Sequence, residues 1–414
     1  MKKIRLGVFG TRRGMDFKRD FLALGCEFVA LCDNRPHILE WANKELGGGV
    51  ATYDKFEDFI EHDMDAVIIA NNFQEHVPYV IECFKRNLHV FSECTAAGTM
   101  AECVELVRAF KESKSIYFLA ENYPQMPVNL EMARIVKEGT LGKILYAEGE
   151  YNHPSGPADK EFLQMHVYNL NHWRNYLPIT YYVTHSLGPL MCATGAFPKK
   201  VSGHAIFEPF PADEPRSSNS ADRAGIMVTE NDDGSVFRFT ACSQFGAHHN
   251  AYRFCGTKGS VENIRGEARR VLLRYNKWDL PEGAEEKSEY VVEVTGDEAK
   301  LINSSWHDGG DYLTAKLFVE CLREGKQPPT PFDVYGATTM SSVAMLAWRS
   351  ILDGGKPYDI PNFRNEEDCK KWENDRLTPF PGANGEAPTL PCCSNPDFKL
   401  TEENIAAYLK VIED

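Results

Sequence analysis

The sequence predicts an N-terminal α/β domain built on a parallel sheet, followed by a second domain whose sheet is antiparallel. Up to about residue 122, short apolar strands alternate with stretches of helical periodicity. That alternation is typical of a parallel sheet covered by helices on both faces. Beyond about residue 123 the strands lengthen and alternate apolar with polar residues, as in an antiparallel sheet with one solvated face.

The individual elements follow from these two patterns. Strands of the first domain are predicted at Ile4–Gly10, Glu27–Cys32, Val50–Tyr53, Asp65–Ala70, Leu88–Glu93 and Ile116–Asn122. Helices are predicted at Gly14–Leu24, Pro36–Leu46, 76–86, 99–113 and Asn129–Glu138. The longer strands are predicted at Ile144–Tyr151, Val201–Phe207, Gly225–Thr229, Ser235–Gln244, Ala251–Cys255, Ser260–Ile264, Arg270–Tyr275 and Glu289–Val294. We expect domains at residues 1–122 and 123–355, and a polar C-terminal extension, 356–414, that wraps the surface.

Composition limits the classes of function. The chain has 414 residues, a length that suits two domains, and a net charge of −15 that disfavours nucleic acid and anionic membranes as partners. Its twelve cysteines form no C-x-x-C pair, so we expect a cytoplasmic protein without disulfides or a bound metal. We expect neither a signal peptide nor a membrane span, because no apolar stretch reaches roughly 20 residues.

A glycine turn between the first strand and the first helix predicts a dinucleotide site. The turn consists of Gly10, Thr11, Arg12, Arg13 and Gly14, where the fingerprint G-x-G-x-x-G places backbone N–H groups against a pyrophosphate. It is one residue shorter than the fingerprint and lacks the middle glycine. Asp33 ends the second strand 23 residues after Gly10 (33 − 10), where an acid binds the ribose 2′-hydroxyl and repels a 2′-phosphate. NAD is therefore favoured over NADP, although Arg35 lies nearby; the alternative is a glycine turn capped by an aspartate.

Polar residues follow the next two strands of the parallel sheet. Asn71 and Asn72 come after the fourth strand, and Glu93 comes after the fifth. Ligands of such sheets bind at the carboxyl ends of the strands, so we expect these residues to face the nicotinamide half of the cofactor. His76, at the start of a helix, is either a cofactor contact or a helix cap.

With these residues in place, the chain resembles the glucose–fructose oxidoreductase/inositol dehydrogenase (Gfo/Idh/MocA) family from residue 1 to about residue 352. The resemblance rests on the ordered segments IRLGVFGTRRG, LCDNRP, DAVIIANNFQEH, RNLHVFSECTAAGTMAE and EGTLGKILYAEGEY. It implies a Rossmann fold and then an α+β domain with a large, open, mostly antiparallel sheet, with a sugar or cyclitol bound between the two. It also implies a homo-oligomer, a dimer or tetramer, because the open sheet often forms a dimer face in this family.

Two departures separate the chain from simple dehydrogenases of that family. Those enzymes carry Glu-Lys-Pro after the fifth strand, where this chain has Glu93-Cys94-Thr95, and only His185 remains of their Asp-x-Gly-x-His motif. The chain is more similar to the NAD-dependent glycosidases of the α-N-acetylgalactosaminidase type. That similarity lies in Ala96-Ala97-Gly98-Thr99, Glu121-Asn122, Tyr151, the segment from Tyr182 to Pro189, and His307-Asp308-Gly309-Gly310-Asp311. One tyrosine of that subgroup has no clear counterpart, and His248, His249 or Tyr252 stands in its place.

The subgroup's chemistry implies roles for these residues. NAD takes a hydride from C3 of the sugar, the C2 proton is removed, the leaving group departs from C1, water adds, and the hydride returns. His185 and Tyr182 are the candidates for the C3 hydroxyl and the C2 proton, since histidine titrates near neutrality. Glu121 and Tyr151 are the candidates for leaving-group protonation and water activation. His307 completes the catalytic set, and Asn122 joins the cofactor contacts.

Structural roles are the alternatives. His185 at a helix start, Glu121 at a strand end and Tyr151 in a strand are otherwise core residues. Three histidines and two acids suggest a metal, but their irregular spacing favours solvated loop residues, and we expect no metal site; they are His153, His166, His172, Asp159 and Glu161. Three aromatic residues before His185 either stack on a sugar ring or fill the domain interface; they are Tyr168, Trp173 and Tyr176.

The leading functional prediction is an NAD-dependent, redox-assisted glycosidase or a related 3-keto-glycoside enzyme acting on a carbohydrate. The alternatives are a simple NAD-dependent sugar or cyclitol dehydrogenase, and an NAD- or sugar-binding sensor without turnover. Net NADH production favours the dehydrogenase. Aglycone release without NADH accumulation favours the glycosidase, and tight NAD binding with neither outcome favours the sensor.

Overall fold

The N-terminal sheet is parallel, as the alternating pattern predicts. The computed structural model describes residues 3–154, 156, 170–382 and 385–413. Within them the first sheet contains six strands: β1 (Arg5–Phe9), β2 (Glu27–Cys32), β3 (Ala51–Tyr53), β4 (Ala66–Ile69), β5 (His89–Ser92) and β6 (Tyr117–Leu119). Their spatial order is β3-β2-β1-β4-β5-β6. The order reverses between β1 and β4, and ligands of such sheets bind at the carboxyl ends of the strands near that point.

Apolar cores cover both faces of this sheet. Along β4, Val67 and Ile69 enter one core, and Ala66 and Ile68 enter the other. The flanking helices are α1 (Thr11–Gly14), α2 (Lys18–Ala23), α3 (Pro36–Glu45), α4 (Phe56–Phe59), α5 (His76–Lys85) and α6 (Met100–Glu112). The helix predicted at Gly14–Leu24 is interrupted, because a 3-10 turn at Met15–Phe17 separates α1 from α2.

The second sheet is large and mixed. After α7 (Pro127–Lys137) and β7 (Ile144–Asn152), α8 (Thr184–Thr194) leads into the remaining strands. These are β8 (Pro198–Phe207), β9 (Asp222–Asn231), β10 (Val236–Ser243), β11 (His249–Gly256), β12 (Gly259–Asn263), β13 (Arg270–Tyr275), β14 (Lys287–Val291) and β15 (Tyr358–Asp359). Among the described residues the order is β14-β13-β12-β11-β7-β10-β9-β8-β15. Only β7 and β10 pair in parallel there, so the predicted, mostly antiparallel sheet is confirmed.

Two glycines bring α8 against its neighbours. A Cβ on Gly149 in β7 would lie 2.3 Å from the carbonyl oxygen of Ser186 in α8. A Cβ on Gly188 would lie 3.1 Å from Cγ of Glu121, which follows β6. The first contact excludes any larger side chain at Gly149, and the second leaves little room at Gly188. The start of α8 is thereby held between the second sheet and the carboxyl edge of the first.

The chain later returns to the first sheet. The remaining helices are α9 (Ala299–Ser304), α10 (Gly310–Glu324), α11 (Val334–Leu352), α12 (Glu366–Trp372) and α13 (Glu402–Glu413). Phe318 of α10 packs on Phe21, Phe91 and Phe118, with ring centroids 6.2, 5.2 and 5.6 Å away. The middle of α10 therefore packs on the first sheet, although it is far from that sheet in sequence.

The C-terminal segment lies against both parts of the molecule. Nε1 of Trp348, a fully buried residue of α11, donates to the carbonyl oxygen of Pro391 at 2.8 Å. Arg349 pairs with Asp375 at 2.6 Å, and the N–H of Ser394 donates to Asp222 at 2.8 Å. These contacts hold the segment against the last turns of α11 and the start of β9.

Several absences hold for the described part of the chain. No helix there is long and apolar enough to cross a membrane. No group of three or more His, Cys, Asp or Glu side chains there is arranged to hold a metal ion. His166, Asp159 and Glu161 lie outside the described residues. All twelve cysteines are free.

Candidate active site

The glycine turn has the geometry of a phosphate-binding turn at its two ends. Gly10 has a φ of +85°, and a Cβ there would lie 2.3 Å from the carbonyl carbon of Ala70. A Cβ on Gly14 would lie 2.4 Å from Cγ1 of Val8. Only glycine fits either position, one for the tight turn and the other for close packing of helix on strand.

Asp33 lies beside this turn with its carboxylate already bonded. Its Oδ2 accepts from the N–H of Thr11 at 3.0 Å and from the Thr11 hydroxyl at 3.1 Å. Arg35 donates to both carboxylate oxygens, at 2.9 and 3.1 Å. Asp33, which the sequence predicts to bind the ribose, therefore lies beside the turn, and it also neutralises Arg35, the neighbouring group that would attract a 2′-phosphate.

An ion pair stands at the carboxyl ends of β1 and β5. Nε of Arg13 donates to Oε1 of Glu93 at 2.9 Å. Burial raises the pKa of Glu93 and outweighs the opposing effect of Arg13. Arg12 points elsewhere, since its guanidinium lies 5.5 Å from the centre of the Trp41 ring. Of the two arginines in the turn, Arg13 is the one that reaches the carboxyl end of β5.

Buried acceptors without partners surround the same edge. Oδ1 of Asn71, Oε1 of Gln74 and Oδ1 of Asn122 are buried and have no hydrogen-bond partner among the described residues. An unpaired buried acceptor is costly, so it calls for a donor from a ligand or water. Ribose hydroxyls and a nicotinamide carboxamide are donors of that kind, and the residues present therefore fit NAD. Asn72 lies next to Asn71, partly exposed.

His76 supports this edge from behind. Its side chain is fully buried; Nε2 donates to the carbonyl oxygen of Asn71 at 3.1 Å, and Nδ1 lies 3.3 Å from Oγ of Ser92. Burial lowers the pKa of His76 to about 4, so the ring is neutral. It makes no side-chain cap to α5. In this structure His76 fixes the loop that carries Asn71, and of the two roles that the sequence suggested the helix cap is wrong.

The central feature of the site is a carboxylate–histidine pair between the two sheets. Nδ1 of His185, in α8, lies 2.9 and 3.0 Å from the two carboxylate oxygens of Glu121. With the carboxylate as acceptor, Nδ1 carries the proton and Nε2 keeps its lone pair. Nε2 has no hydrogen-bond partner within the part of the chain that is described. His185 is thus oriented as a base.

Glu121 is enclosed by the groups to which its carboxylate is bonded, His185 among them. The side chain is fully buried, and it also accepts from the N–H of Tyr123 at 3.1 Å and from Sγ of Cys94 at 3.3 Å. Burial works to raise its pKa, but His185, Thr184 and the N–H of Tyr123 together lower that pKa below its ordinary value. From the sequence, Glu121 is a candidate for leaving-group protonation or water activation. Its burial and its bound oxygens fit an ionised positioning residue instead.

Aromatic rings enclose His185 on several sides. Tyr123 stacks on it with centroids 4.1 Å apart, and Tyr151 meets it edge-on at 5.0 Å. The ring of Tyr182 lies 5.7 Å away. Burial, followed by the neighbouring Tyr123, raises the pKa of Tyr151, so its hydroxyl stays protonated. The two predicted tyrosines are therefore brought together with His185.

A second carboxylate–histidine pair lies across Tyr123. Nδ1 of His307 is 3.0 Å from Oδ1 of Asp311, and the rings of Tyr123 and His307 are 5.8 Å apart. Nδ2 of Asn122 donates to the same Asp311 oxygen. A Cβ on Gly310 would lie 2.8 Å from the carbonyl oxygen of Asn122, so the glycine lets this turn approach β6. The adjacent residues Glu121 and Asn122 thus each lead to one histidine. Glu121 contacts His185 directly, and Asn122 contacts His307 through Asp311.

The remaining candidates have more peripheral positions. His153 and His248 contact each other through Nδ1 atoms 2.8 Å apart, and the ring of His153 stacks on Tyr151 at 5.8 Å. Nε2 of His249 bonds to Glu150, on the opposite face of β7 from Tyr151, at 3.1 Å. The hydroxyl of Tyr252 donates to the carbonyl oxygen of His185 at 2.6 Å. Of the three proposed substitutes for the missing tyrosine, His249 is on the wrong face and Tyr252 supports the backbone of α8.

The loop before α8 combines packing with polar contact. Trp173 meets Phe73 of the first domain at 4.9 Å, so its ring fills the interface. Tyr176 packs, partly buried, against the main core, and Tyr168 lies outside the described residues. Nη1 of Arg174 donates to the Tyr182 hydroxyl at 2.7 Å.

Two open cavities, of about 370 and 600 Å³, contain none of the predicted site residues. They lie around β12, β13 and the turn that follows α7. The site between the sheets is therefore identified by its chemistry and by the fold. Three of its members were not predicted as site residues. Asp311 stands in a motif that the sequence analysis quoted and Tyr123 follows Glu121-Asn122, but nothing in the sequence marks Arg174.

Comparison with known proteins identifies the class. Residues 4–121 match the model of the oxidoreductase family with an NAD-binding Rossmann fold, and residues 249–370 match the glycosyl hydrolase 109 C-terminal domain. The protein is thus an NAD-dependent enzyme with the fold of the oxidoreductases. More particularly, the chain combines a Gfo/Idh/MocA NAD-binding domain with a glycosyl hydrolase 109 C-terminal domain, as the sequence predicted.

Relatives match over most of their length. The chain is 24% identical over 410 residues to a glycosyl hydrolase family 109 protein of Solibacter usitatus, covering 89% of each chain. A family 109 protein of Shewanella pealeana is 24% identical over 401 residues, with 88% of this chain and 86% of that protein covered.

Solved structures share the fold. A levoglucosan dehydrogenase in complex with NADH and L-sorbose has a TM-score of 0.69 at 16% identity, covering 87% of this chain and 100% of that one. An oxidoreductase from Agrobacterium radiobacter in complex with NAD⁺, L-tartaric acid and magnesium has a TM-score of 0.69 at 12% identity, covering 86% and 98%. At these identities the likeness is one of fold.

Proposed function

We propose that the protein is an NAD-dependent glycoside hydrolase or 3-keto-glycoside enzyme that works by transient oxidation at C3 of a sugar. The observation that carries this proposal is the Glu121–His185 pair at the carboxyl edge of the NAD-binding sheet. It provides an oriented base where the substrate carbon must meet the nicotinamide. The names of the family 109 relatives support a glycoside as substrate.

The cofactor contacts in this proposal are Gly10, Thr11, Arg13, Gly14, Asp33, Asn71, Asn72, Glu93 and Asn122. When bound, NAD supplies the hydride acceptor at C3 and later the hydride donor. The protein supplies the proton transfers. Nε2 of His185 takes the proton of the C3 hydroxyl, leaving a ketone that acidifies the C2 proton.

The remaining proton transfers are assigned by position. Tyr182 and His185 together transfer the protons of the C3 hydroxyl and of C2, because their rings are neighbours. Tyr151, whose ring meets that of His185 edge-on, donates its hydroxyl proton to the leaving-group oxygen as the C1–O bond breaks. His307, oriented by Asp311, activates the water that adds at C1. Glu121 and Asp311 are positioning residues, and each holds its histidine in one tautomer.

Deuterium incorporation tests this proposal. The purified protein, supplied with NAD⁺, is incubated in D₂O with a panel of 4-nitrophenyl glycosides, and aglycone release and absorbance at 340 nm are followed together. We expect aglycone release without NADH accumulation, and deuterium at C2 of the released sugar. A substrate labelled with deuterium at C3 should keep its label, because the hydride returns to the same carbon.

Matched variants complete the experiment. His185→Ala should lose both exchange and cleavage by roughly 10²–10⁴-fold. His249→Ala, which alters a histidine on the opposite face of the sheet, is the control and should keep both. Hydrolysis without C2 exchange would overturn the proposal. NADH that accumulates in step with substrate loss would identify a simple sugar dehydrogenase, and NAD binding with no turnover of any sugar would identify a sensor.

Further parts of the proposal concern organisation. We propose the domain division 1–122, 123–355 and 356–414, a cytoplasmic location, and a homo-oligomer. The free state of all twelve cysteines is compatible with a reducing compartment. Light scattering of the purified protein tests the oligomeric state.

A further inference from the structure

The turn that carries His307 has an uncommon backbone conformation. Three consecutive residues have positive φ angles: His307 at +50°, Asp308 at +54° and Gly309 at +95°. Glycine adopts this left-handed region freely, but a residue with a side chain is strained there and stays only where its surroundings hold it. Because the strain includes His307 itself, the contacts that hold this turn also determine where the histidine lies.

Arg269 holds the middle residue of the turn. Its Nε donates to Oδ1 and Oδ2 of Asp308 at 2.8 and 3.0 Å, and a second guanidinium nitrogen lies 2.7 Å from Oδ1. Nη1 donates to Oδ1 of Asn303 in α9 at 2.8 Å. The side chains of Arg269 and Asp308 are only 20% and 21% exposed, so solvent ions screen the pair weakly. A planar guanidinium that binds both oxygens of a carboxylate fixes its orientation as well as its position.

Arg269 is itself anchored in the second sheet. It directly precedes β13 (Arg270–Tyr275), and its carbonyl oxygen accepts from the N–H of Val292 at 2.8 Å, next to the pairing of β13 with β14. On the other side of the turn, the hydroxyl of Ser305 donates to Asp20 of α2 at 3.2 Å. The turn is therefore held between the first domain and the second sheet, and Arg269 links it to the sheet.

We propose that Arg269 is a positioning residue for the step in which water adds at C1. Its bond to Asp308 holds the turn in the left-handed conformation, in which Nδ1 of His307 lies 3.0 Å from Asp311 and Nε2 presents its lone pair to the water. In this step the water oxygen bonds to C1 of the enone and the water proton passes to Nε2 of His307. C2 accepts a proton from the base that removed one, and no electrons are transferred. The inference rests on the proposed function and assigns Arg269 to one step of it.

The place of this step in the reaction gives Arg269→Gln a distinctive kinetic signature. Oxidation at C3, loss of the C2 proton and departure of the aglycone all precede the addition of water. In stopped-flow experiments with a 4-nitrophenyl glycoside, the NAD-loaded variant should release about one equivalent of aglycone per active site rapidly and then turn over slowly. NADH fluorescence should rise with this burst and persist. We expect the steady-state kcat to fall by about 10²-fold, the usual effect of misplacing a reacting group by roughly 1 Å. The wild type should show neither the burst nor lasting NADH fluorescence.

Matched variants separate this role from a general loss of structure. Arg270→Gln changes the next residue, whose guanidinium bonds to Glu267 and Glu289 at the surface, and it should behave as the wild type does. Arg269→Lys keeps the charge without the fork and should recover part of kcat. Asp308→Gly removes the same contact but places glycine where φ is positive, so the turn can fold without the arginine; it should show the burst as well. Wild-type kinetics in both Arg269→Gln and Asp308→Gly would overturn the inference. An equal loss of the first turnover and of the steady state would also overturn it, because water addition would not be the step affected.

A spectroscopic measurement distinguishes failure of this inference from failure of the proposed function. NMR of protein that contains histidine labelled with the NMR-active isotope of nitrogen reports which ring nitrogen of His307 carries the proton, and it needs no turnover. The signal is assigned by its absence in His307→Ala. We expect one tautomer in the wild type, with the proton on Nδ1, and a mixture in Arg269→Gln. An unchanged single tautomer in Arg269→Gln would overturn the inference even if the wild type cleaves glycosides. A mixture of tautomers in a protein whose wild type cleaves no glycoside would support the positioning of His307 by Arg269 and overturn the proposed function alone.

Discussion

Nδ1 of His185 lies 2.9 Å from the Glu121 carboxylate, across the boundary between the two sheets. The next residue along the chain, Asn122, contacts Asp311, which holds His307. One strand end therefore orients two histidines, and Tyr123 separates their rings. Four predictions follow from this arrangement and from the cofactor turn.

Glu121→Gln should lower kcat/KM by roughly 10²–10⁴-fold, the usual contribution of a positioned acid–base group, because the amide cannot hold Nδ1–H of His185 as the carboxylate does. NAD affinity should be kept. A double-mutant cycle with His185→Ala measures the coupling, and the double variant should be no slower than the slower single variant. Additive losses would show that Glu121 acts independently of His185.

Asp311→Asn should reduce the acid sensitivity of stability. Burial tends to raise the pKa of Asp311, but His307, Arg13 and Asn122 together lower it below its ordinary value of 3.8. A group with a lowered folded pKa adds stability above its unfolded pKa and loses it as the pH falls through the folded pKa. The variant's Tm should therefore fall less steeply than that of the wild type as the pH falls below about 4.

Asp222→Asn is the control, because it should change the pH dependence of Tm in the opposite direction. Burial raises the pKa of Asp222, so its protonation on folding adds stability as the pH falls. In the Asp222→Asn variant, Tm should therefore fall more steeply than in the wild type as the pH decreases. Parallel Tm curves for Asp311→Asn and the wild type would contradict the assignment of Asp311 as an ionised, buried partner of His307.

Cys94→Ala should keep most of the activity. The thiol donates to Glu121 at 3.3 Å, and burial, followed by the charges of Glu121 and Glu93, raises the pKa of Cys94 well above its ordinary value. A protonated thiol is not a nucleophile. Steady-state kinetics and resistance to iodoacetamide at neutral pH provide the measurements. A loss greater than a hundredfold, about 2.7 kcal/mol in the barrier, would mean that the thiol takes part in the reaction.

Asp33→Ala should weaken NAD binding by about 1–3 kcal/mol, the usual cost of removing one partner from a buried hydrogen bond. It also releases Arg35, whose charge is otherwise neutralised by Asp33 at 2.9 Å. The preference for NAD over NADP should therefore decrease, and the further change Arg35→Ala should remove that gain for NADP. Calorimetric titration with both cofactors measures the effect. Wild-type binding of NADP as tight as that of NAD would contradict this role of Asp33.

The sequence was most informative where periodicity is local. The ends of the strands in the parallel sheet were predicted to within three residues (122 − 119 at the end of β6), because β4 (Ala66–Ile69) and its neighbours are short apolar runs bounded by turns. The break in the first helix at Met15–Phe17 was missed, since its residues suit a continuous helix. The parallel pairing of β7 with β10 was missed as well. Alternation within a strand specifies which face is buried, but it does not specify the neighbouring strand.

For the site as well, the sequence predicts which residues belong to it but not how distant residues contact one another. His185, Glu121, Tyr151, Tyr182 and His307 were singled out from the sequence, and the structure brings all five into one region. Their division of labour depends on contacts between distant residues. Glu121 meets a histidine 64 positions away, and Asn122 meets Asp311 across 189 positions. Arg174 shows no periodicity or motif, and its hydrogen bond to Tyr182 becomes evident only in the folded chain.

The hydrogen bond between Glu121 and His185 joins the two parts of the molecule. His185 is therefore an oriented base only when both parts are folded against each other. A chimera that joins this N-terminal sheet to the C-terminal part of a relative would still present the glycine turn to a dinucleotide. Unless that relative supplies a histidine at the start of its equivalent helix, the chimera would leave the buried carboxylate of Glu121 without this hydrogen-bond donor, at a cost to folding as well as to activity. Exchange of halves between related enzymes is therefore constrained by two residues that must be inherited together.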